Sequence, residues 1–419
     1  MDQPSESGVL TWWQRTPLYL RIVAGMALGV IAGLLLGTQA ASLAIPSRLV
    51  LRVLGALAPA LILFAIIKAL MEANFERGTA GKLITLLVIN TIVAICVGLL
   101  VANVLKPGLW SSALHPGAAN SAEHGAGKAD PLQQFLDNVP KSMLGPLTDD
   151  GKVMGVIFLA LALGIALRRT AKRPIHTVKE GVDLALDTLV VILHWIIEVV
   201  PLAVFGLVAS IVGTQGFAPF KALGAFIVAV LVGLLIQASY YLLRVRFGSW
   251  VRPRKLLAAC SDAMLMAFST GSSTVTMPLT YQSLHERVGL REKSASLGAL
   301  VGANFNNDGT ALYEAMAALF VSQLLAAQGS GVELSLTSQI LVVLTSVVAS
   351  VGAAGIPEAG LVTMTMVFHA VDLPTEYIAL LLPVDWFLDR CRTVINVMGD
   401  MNVSCLMDGK TREARAPTS

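Results

Sequence analysis

The chain is poor in charge. Of its 419 residues only 14% are Asp, Glu, Lys or Arg, while 55% are hydrophobic. A water-soluble domain carries about 25% charged residues, so a soluble globular fold is excluded and an integral membrane protein is expected. An excess of either sign is also lacking: the net charge of +3 calls for neither a nucleic acid nor an acidic partner. Cysteine is scarce. Cys96, Cys260, Cys391 and Cys405 stand far apart in apolar surroundings, without metal-ligand spacing, and read as small core residues. The N-terminal stretch has neither the basic start nor the small-residue cleavage site of a signal peptide, so the first apolar run is expected to be retained.

What the chain does have is apolar runs of about 20 residues, at 18–37, 49–70, 83–105, 153–167, 186–213 and 222–243. Trp12, Trp13 and Arg15 precede the first as an interfacial anchor. Basic residues gather at Arg168, Arg169, Lys172 and Arg173, and again at Arg244, Arg246, Arg252, Arg254 and Lys255. Both groups read as cytoplasmic loops, because Lys and Arg are enriched on that side. Lys68 to Lys82 reads as a short cytoplasmic turn, and the Gly-, Ala- and Pro-rich stretch 106–151 as a long outward loop. His115 and His124 in that loop are too isolated to count as metal ligands. His194 and Glu198 share a helical face and are read as a helix-end pair rather than a proton relay.

After residue 254 the pattern changes. Ala258–Phe268 and Pro278–Leu284 are half-length apolar segments separated by STGSSTVTM, and Leu341–Ser350 and Leu361–Val371 are separated by VGAAGIPEAG. Paired interrupted segments point to a transporter's midplane site, since non-helical backbone at membrane depth is tolerated only where it lines a cavity or is buried in protein. Between them, 297–325 is broken by ANFNNDGTALYE, whose amide, carboxylate and carbonyl oxygens suit a small hard cation.

The last apolar run, Leu380 to Asp400, carries Asp385, Asp389, Arg390, Arg392, Asn396 and Asp400. At ~100° per residue, Asp385, Asp389, Arg392, Asn396 and Asp400 occupy a helical stripe about 80° wide, with Thr393 at its margin and Arg390 pointing away. Charges inside hydrocarbon are costly and normally face a protein interior or a ligand. The stripe therefore reads as a socket for a zwitterion and a cation, the bland alternative being an internal salt-bridge network between helices.

Four ordered motifs, AFSTGSSTVTMP at 267–278, NNDGTALYEA at 306–315, SVGAAGIPEAGLVTM at 350–364 and DWFLDRCRTVINVMGD at 385–400, resemble those of the dicarboxylate/amino acid:cation symporter family, the glutamate transporters, over nearly the whole chain after residue 15. The resemblance implies an all-α membrane protein with eight spans, two re-entrant helical hairpins and inverted repeats, assembled as a homotrimer in the cell membrane with cytoplasmic termini. Scaffold spans one and two would lie in 1–80, and the outer loop with scaffold spans four and five in 108–219. An elevator-like transport domain would comprise span three (81–107), span six (220–253), the first hairpin (254–290), span seven (291–330), the second hairpin (336–374) and span eight (375–406), with a tail at 407–419.

Carried over position by position, the resemblance places the substrate against Ser272 and Ser273 of the first hairpin tip, Thr310, the backbone around Ile356 and Gly360 of the second hairpin, Thr393 and Asn396. Arg392 would bind a side-chain carboxylate and Asp389 the α-ammonium, as a planar fork suits a carboxylate and a carboxylate an ammonium. Relatives taking neutral amino acids lack the arginine, and relatives taking C4-dicarboxylates lack the aspartate, so an acidic amino acid, glutamate or aspartate, is expected. No cofactor is expected beyond transported ions. One sodium would be held by Asp400 with carbonyls of Gly302, Asn306 and Asn396, a second by Asp308, Asn306, Asn90 and Thr91, and a third by the backbone of Ser350, Val351 and Ala353. Glu314 stands where a protonatable glutamate occurs in eukaryotic members and is a candidate proton carrier; a permanent salt bridge to Arg390 is the alternative. Potassium return, proton coupling with broader specificity, and a channel-like anion conductance stay open as variants.

Several positions depart from the family pattern, and they cluster at the cation region. Asn307 replaces a methionine, Asn90 and Asn304 replace threonines, Glu358 sits in the second hairpin tip, and MNVSCLMDG follows Asp400. A serine-based intramembrane enzyme is the rival of another class. Gly271-Ser272 is only a fragment of a nucleophile motif, and neither His285 nor His369 stands in a supporting one.

Overall fold

A computed structural model describes residues 16–72, 79–110, 177–327, 334–352 and 359–411, and among these there is no β-strand. The helices are α1 (Leu18–Leu36), α2 (Ile45–Glu72), α3 (Thr79–Leu105), α4 (Val178–Gln215), α5 (Ala218–Gly248), α6 (Pro253–Ala259), α7 (Ser261–Thr270), α8 (Ser273–Gln282), α9 (Glu292–Ser296), α10 (Asp308–Ala327), α11 (Leu336–Gly352), α12 (Ala359–Ala370) and α13 (Leu382–Asp408). Five described segments, including α3, α4, α5 and α10, are long and apolar enough to cross a bilayer. The 27 residues of α13 span about 40 Å at 1.5 Å per residue. The run at 153–167, the anchor at Trp12 to Arg15, Glu358 and most of the 106–151 loop lie outside the described residues.

Two groups of helices form. In the first, α1 and α2 pack on α4. Three glycines of α1, four residues apart, make the contact: a Cβ on Gly25, Gly29 or Gly33 would come within 2.7, 2.6 and 2.6 Å of the carbonyl oxygens of Pro201, Phe205 and Ala209. Without a hydrophobic drive between helices in lipid, close backbone approach along small residues supplies the packing. Arg21 of α1 is buried in this contact and pairs with Glu198 of α4, with Nη2 donating to Oε1 at 3.3 Å. Glu198 therefore does not pair with His194, whose Nδ1 lies 2.8 Å from the Val190 carbonyl oxygen. The expected helix-end pair gives way to an interhelical ion pair with Arg21.

In the second group, α3, α5, α7, α8 and α10 surround α13, and α11 and α12 pack on each other and against α10. The breaks are narrower than the sequence suggests. α7 and α8 are interrupted only at Gly271 and Ser272. Gly271 turns the chain with φ +63°, a value that favours glycine, and the Ser272 hydroxyl oxygen accepts from Val275 N at 3.2 Å to cap α8. The STVTM residues, expected in the break, are helical because this cap restarts the helix at Ser273. Likewise the chain before α10 is irregular through Phe305–Asn307, but helix resumes at Asp308, so Gly309 to Glu314 are helical. Arg244 and Arg246 also differ from expectation: they lie in the last turns of α5 rather than in a loop.

Candidate functional site

The α13 stripe is buried along its whole length. Asp385, Asp389, Arg392, Asn396 and Asp400 are each at most 5% exposed, and Arg392 is completely enclosed. The helical spacing that aligned them in the sequence also lets them pair: Arg392 Nη1 donates to Asp385 Oδ1 at 2.9 Å and Nη2 to Asp389 Oδ1 at 2.7 Å. Arg392 Cζ lies 3.9 Å from the centre of the Tyr313 ring of α10, a cation–π contact on the remaining face. In this conformation the stripe's central charges thus form the internal network named as the alternative above. The network is incomplete: Arg392 Nε and Asp385 Oδ2 are buried with no hydrogen-bond partner among the described residues. It is also unbalanced, one guanidinium facing two carboxylates. Buried polar atoms are ordinarily satisfied, and exceptions mark strain, function or a missing ligand.

α10 and α12 approach this centre. Gly360 lies against the guanidinium and the Thr310 methyl, both 3.3 Å or less from where its Cβ would be. Gly309 likewise lets α10 meet the Arg392 backbone, since its Cβ would stand 2.5 Å from the Arg392 carbonyl oxygen. Thr393 Oγ1 donates back to the Asp389 carbonyl at 2.8 Å. Asn396 accepts from Gly309 N at 2.8 Å and donates to Asn307 Oδ1 at 3.3 Å, so it ties α13 to the irregular chain before α10. Ser272 and Ser273 are buried at the α7–α8 junction, and both helices pack on α13. Ile356 lies outside the described residues.

Lower on α13, Asn306 Nδ2 donates to Asp400 Oδ1 at 2.9 Å and to the Asn396 carbonyl at 3.0 Å, while Asn306 Oδ1 is buried without a partner among the described residues. Gly302 is beside them: its Cβ would be 3.7 Å from Asp400 Oδ1. A buried carboxylate, an unpartnered amide oxygen and nearby carbonyls make a hard-oxygen cluster suited to a small cation.

The residues of the second expected sodium set also converge. Thr91 Oγ1 donates to Asp308 Oδ1 at 2.7 Å, the Tyr241 hydroxyl donates to Asp308 Oδ2, and Arg244 Nη1 donates to Asn90 Oδ1. Tyr241 and Arg244 are absent from the expected set. Their spacing of three on α5 was the available signal, but nothing local links them to residues of α3 and α10. Of the third set, the Ser350 carbonyl accepts from Asn307 Nδ2 at 2.9 Å, Val351 lies near the end of α11, and Ala353 is outside the described residues. Asn307 thus ties the chain before α10 to the end of α11.

Glu314 is buried on α10 and accepts from the Thr363 hydroxyl of α12. No ion pair joins it to Arg390 among the described residues. Arg390 points off the stripe, donates from Nη1 to the Trp386 carbonyl at 2.6 Å and lies over the Trp386 ring. The salt-bridge alternative is therefore overturned: at a single residue past Asp389 on the helix, Arg390 faces another side.

Comparison with known proteins identifies the family. Residues 18–410 match the family model described as the sodium:dicarboxylate symporter family. The chain is 35% identical to excitatory amino acid transporter 3 of Oryctolagus cuniculus over 62% of its own length and 48% of that protein's; it thus spans about half the length of this relative. It is 29% identical to an excitatory amino acid transporter of Caenorhabditis elegans over 94% of its length and 87% of the relative's. It is 30% identical to the neutral amino acid transporter B(0) of Homo sapiens over 90% of the chain and 76% of that protein. With its match running from the first described helix to the end of the last, the chain belongs to the sodium:dicarboxylate symporter family, a family of membrane transporters rather than enzymes.

Proposed function

We propose that the chain is a secondary active symporter that takes up an acidic amino acid, glutamate or aspartate, with sodium. The observation that carries this reading is the enclosed Asp385–Arg392–Asp389 group with its unpartnered nitrogen and oxygen. A purely structural bridge gains by satisfying every buried polar atom. An acidic amino acid would complete this one. Its side-chain carboxylate takes the guanidinium, and its ammonium takes the Asp389 carboxylate released by that exchange. Ser272, Ser273, Thr310, Thr393 and Asn396 would surround the remaining carboxylate, closed by the backbone around Ile356 and Gly360. Asp400, with Gly302, Asn306 and Asn396, would hold a sodium ion, and the end of α11 a further one; their charge offsets that of the substrate.

The half-length pairs α7–α8 and α11–α12 would be the two re-entrant hairpins of an eight-span fold. In this reading α1, α2 and α4 belong to the scaffold of a homotrimer in the cell membrane, and the helices around α13 form a transport domain that moves against it. Glu314, enclosed near Arg392, would carry a proton. Arg392 also argues against neutral substrates, although one relative carries them by name, because an apolar side chain offers the guanidinium nothing in exchange for the Asp389 bond that the substrate ammonium would take.

The test is uptake of labelled aspartate into proteoliposomes with an inward sodium gradient. Concentrative uptake that collapses with the gradient is expected. Current without accumulation would make the chain a channel, and no specific uptake of any acidic amino acid would overturn the reading.

A further inference from the structure

Two fully buried aspartates lie near the junction of α10 and α13, and they are compensated differently. Asp400 accepts from a neutral amide, Asn306, and among the described residues no basic side chain pairs with it. An unpartnered amide oxygen sits next to it. Asp308 has both oxygens taken by hydroxyl donors, Thr91 of α3 and Tyr241 of α5. A positive charge is also held at this site. One turn along α5 from Tyr241, on the same helical face, Arg244 donates to the amide oxygen of Asn90, the chain neighbour of the Thr91 that bonds Asp308.

A sodium ion needs several oxygens with lone pairs turned toward it and no competing cation. Here N–H and O–H groups occupy the side-chain oxygens of Asn90 and Asp308, and a guanidinium supplies the charge that an ion would bring. The residue set expected to hold a second sodium does not fit one in this arrangement. We propose that Arg244 is a tethered cation that substitutes for a transported sodium at the Asn90–Thr91–Asp308 site, so that the chain couples each substrate to one sodium fewer than its set of candidate sites would hold. Asp400, which has no such substitute, keeps its ion. The inference rests on the sodium-coupled function proposed above for its physiological meaning, but its test does not need transport.

Equilibrium binding of radioactive sodium to the purified full-length protein, at saturating sodium and acidic amino acid, reads the number of ions per chain. Arg244→Gln is expected to bind one sodium more than the unaltered protein, and Arg244→Lys, which keeps the charge, to bind the same number. Asp308→Asn in the R244Q background should remove the gained ion. An unchanged or lower count in folded R244Q overturns the proposal. Should R244Q fail to fold, the single variants decide: Asp400→Asn should lose one ion and Asp308→Asn none, and loss of an ion from D308N overturns the proposal as well. Failure of acidic amino acid uptake with the expected ion counts would instead refute the substrate reading and leave the tethered cation standing.

Discussion

Gly360 of α12 is seated on the guanidinium of Arg392: a Cβ at that position would be 3.1 Å from Nη2 and 3.3 Å from Cζ. The backbone of one helix is thereby a wall of the charged centre on another. Gly360→Ala should push the fork off its place between Asp385 and Asp389. Overpacking of this kind costs about 1–3 kcal/mol, so aspartate affinity measured by calorimetry should fall by roughly fivefold to a hundredfold. Unchanged affinity would show that the fork's position is not critical.

Arg392→Cys removes the guanidinium and leaves two buried carboxylates facing each other. Breaking a buried pair costs about 3–5 kcal/mol. Aspartate uptake should disappear, and a neutral amino acid such as serine should now compete for the site. Aspartate binding at its original strength would rule out the assigned carboxylate contact.

Asp389→Ser separates the roles of the two substrate charges. Affinity for glutamate should drop by several kcal/mol, because an enclosed ammonium is left unpaired. Succinate, which has no amine, should lose far less. Equal losses for the two ligands in competition binding would reject the ammonium assignment.

Glu314→Gln keeps an acceptor for the Thr363 hydroxyl but cannot carry a proton. Sodium-driven exchange of aspartate should continue, while substrate-dependent acidification of the lumen, followed with a trapped pH dye, should vanish. If acidification persists in E314Q, some other group moves the proton.

Gly298 tests the packing beneath the cation cluster. Its Cβ would lie 2.6 Å from both the Asp400 carbonyl oxygen and Ser404 N, so Gly298→Val must force the turn at Leu297–Val301 away from α13. A loss of about 1–3 kcal/mol is expected, read as a lower Tm in a thermal melt. A wild-type Tm would mean that this contact can relax at no cost.

Much of the site is legible in the sequence. Asp385, Asp389, Arg392, Asn396 and Asp400 could be placed on one buried face because helical periodicity is local and charge in an apolar run is conspicuous. The position of Arg390 off that face follows from the same geometry. The break between α7 and α8 is shorter than its composition suggests. Small and hydroxylic residues such as those of STVTM have weak helix preference, but a serine cap and the packing of α8 on α13 override it. The state of the charges was hidden altogether, since a stripe reads the same whether its members face a ligand or one another.

Hydropathy, scarcity of charge and four ordered motifs were enough for membrane residence, family and the polar line along the final helix, as each is written in neighbouring residues. Which donor fills which oxygen was decided elsewhere. Thr91 meets Asp308 across 217 positions of chain, Tyr241 meets it across 67, and Arg244 meets Asn90 across 154. No periodicity runs over such distances; only the packing of α3, α5 and α10 brings these groups together and sets a basic residue near a helix end on the asparagine next to the buried acid's threonine partner.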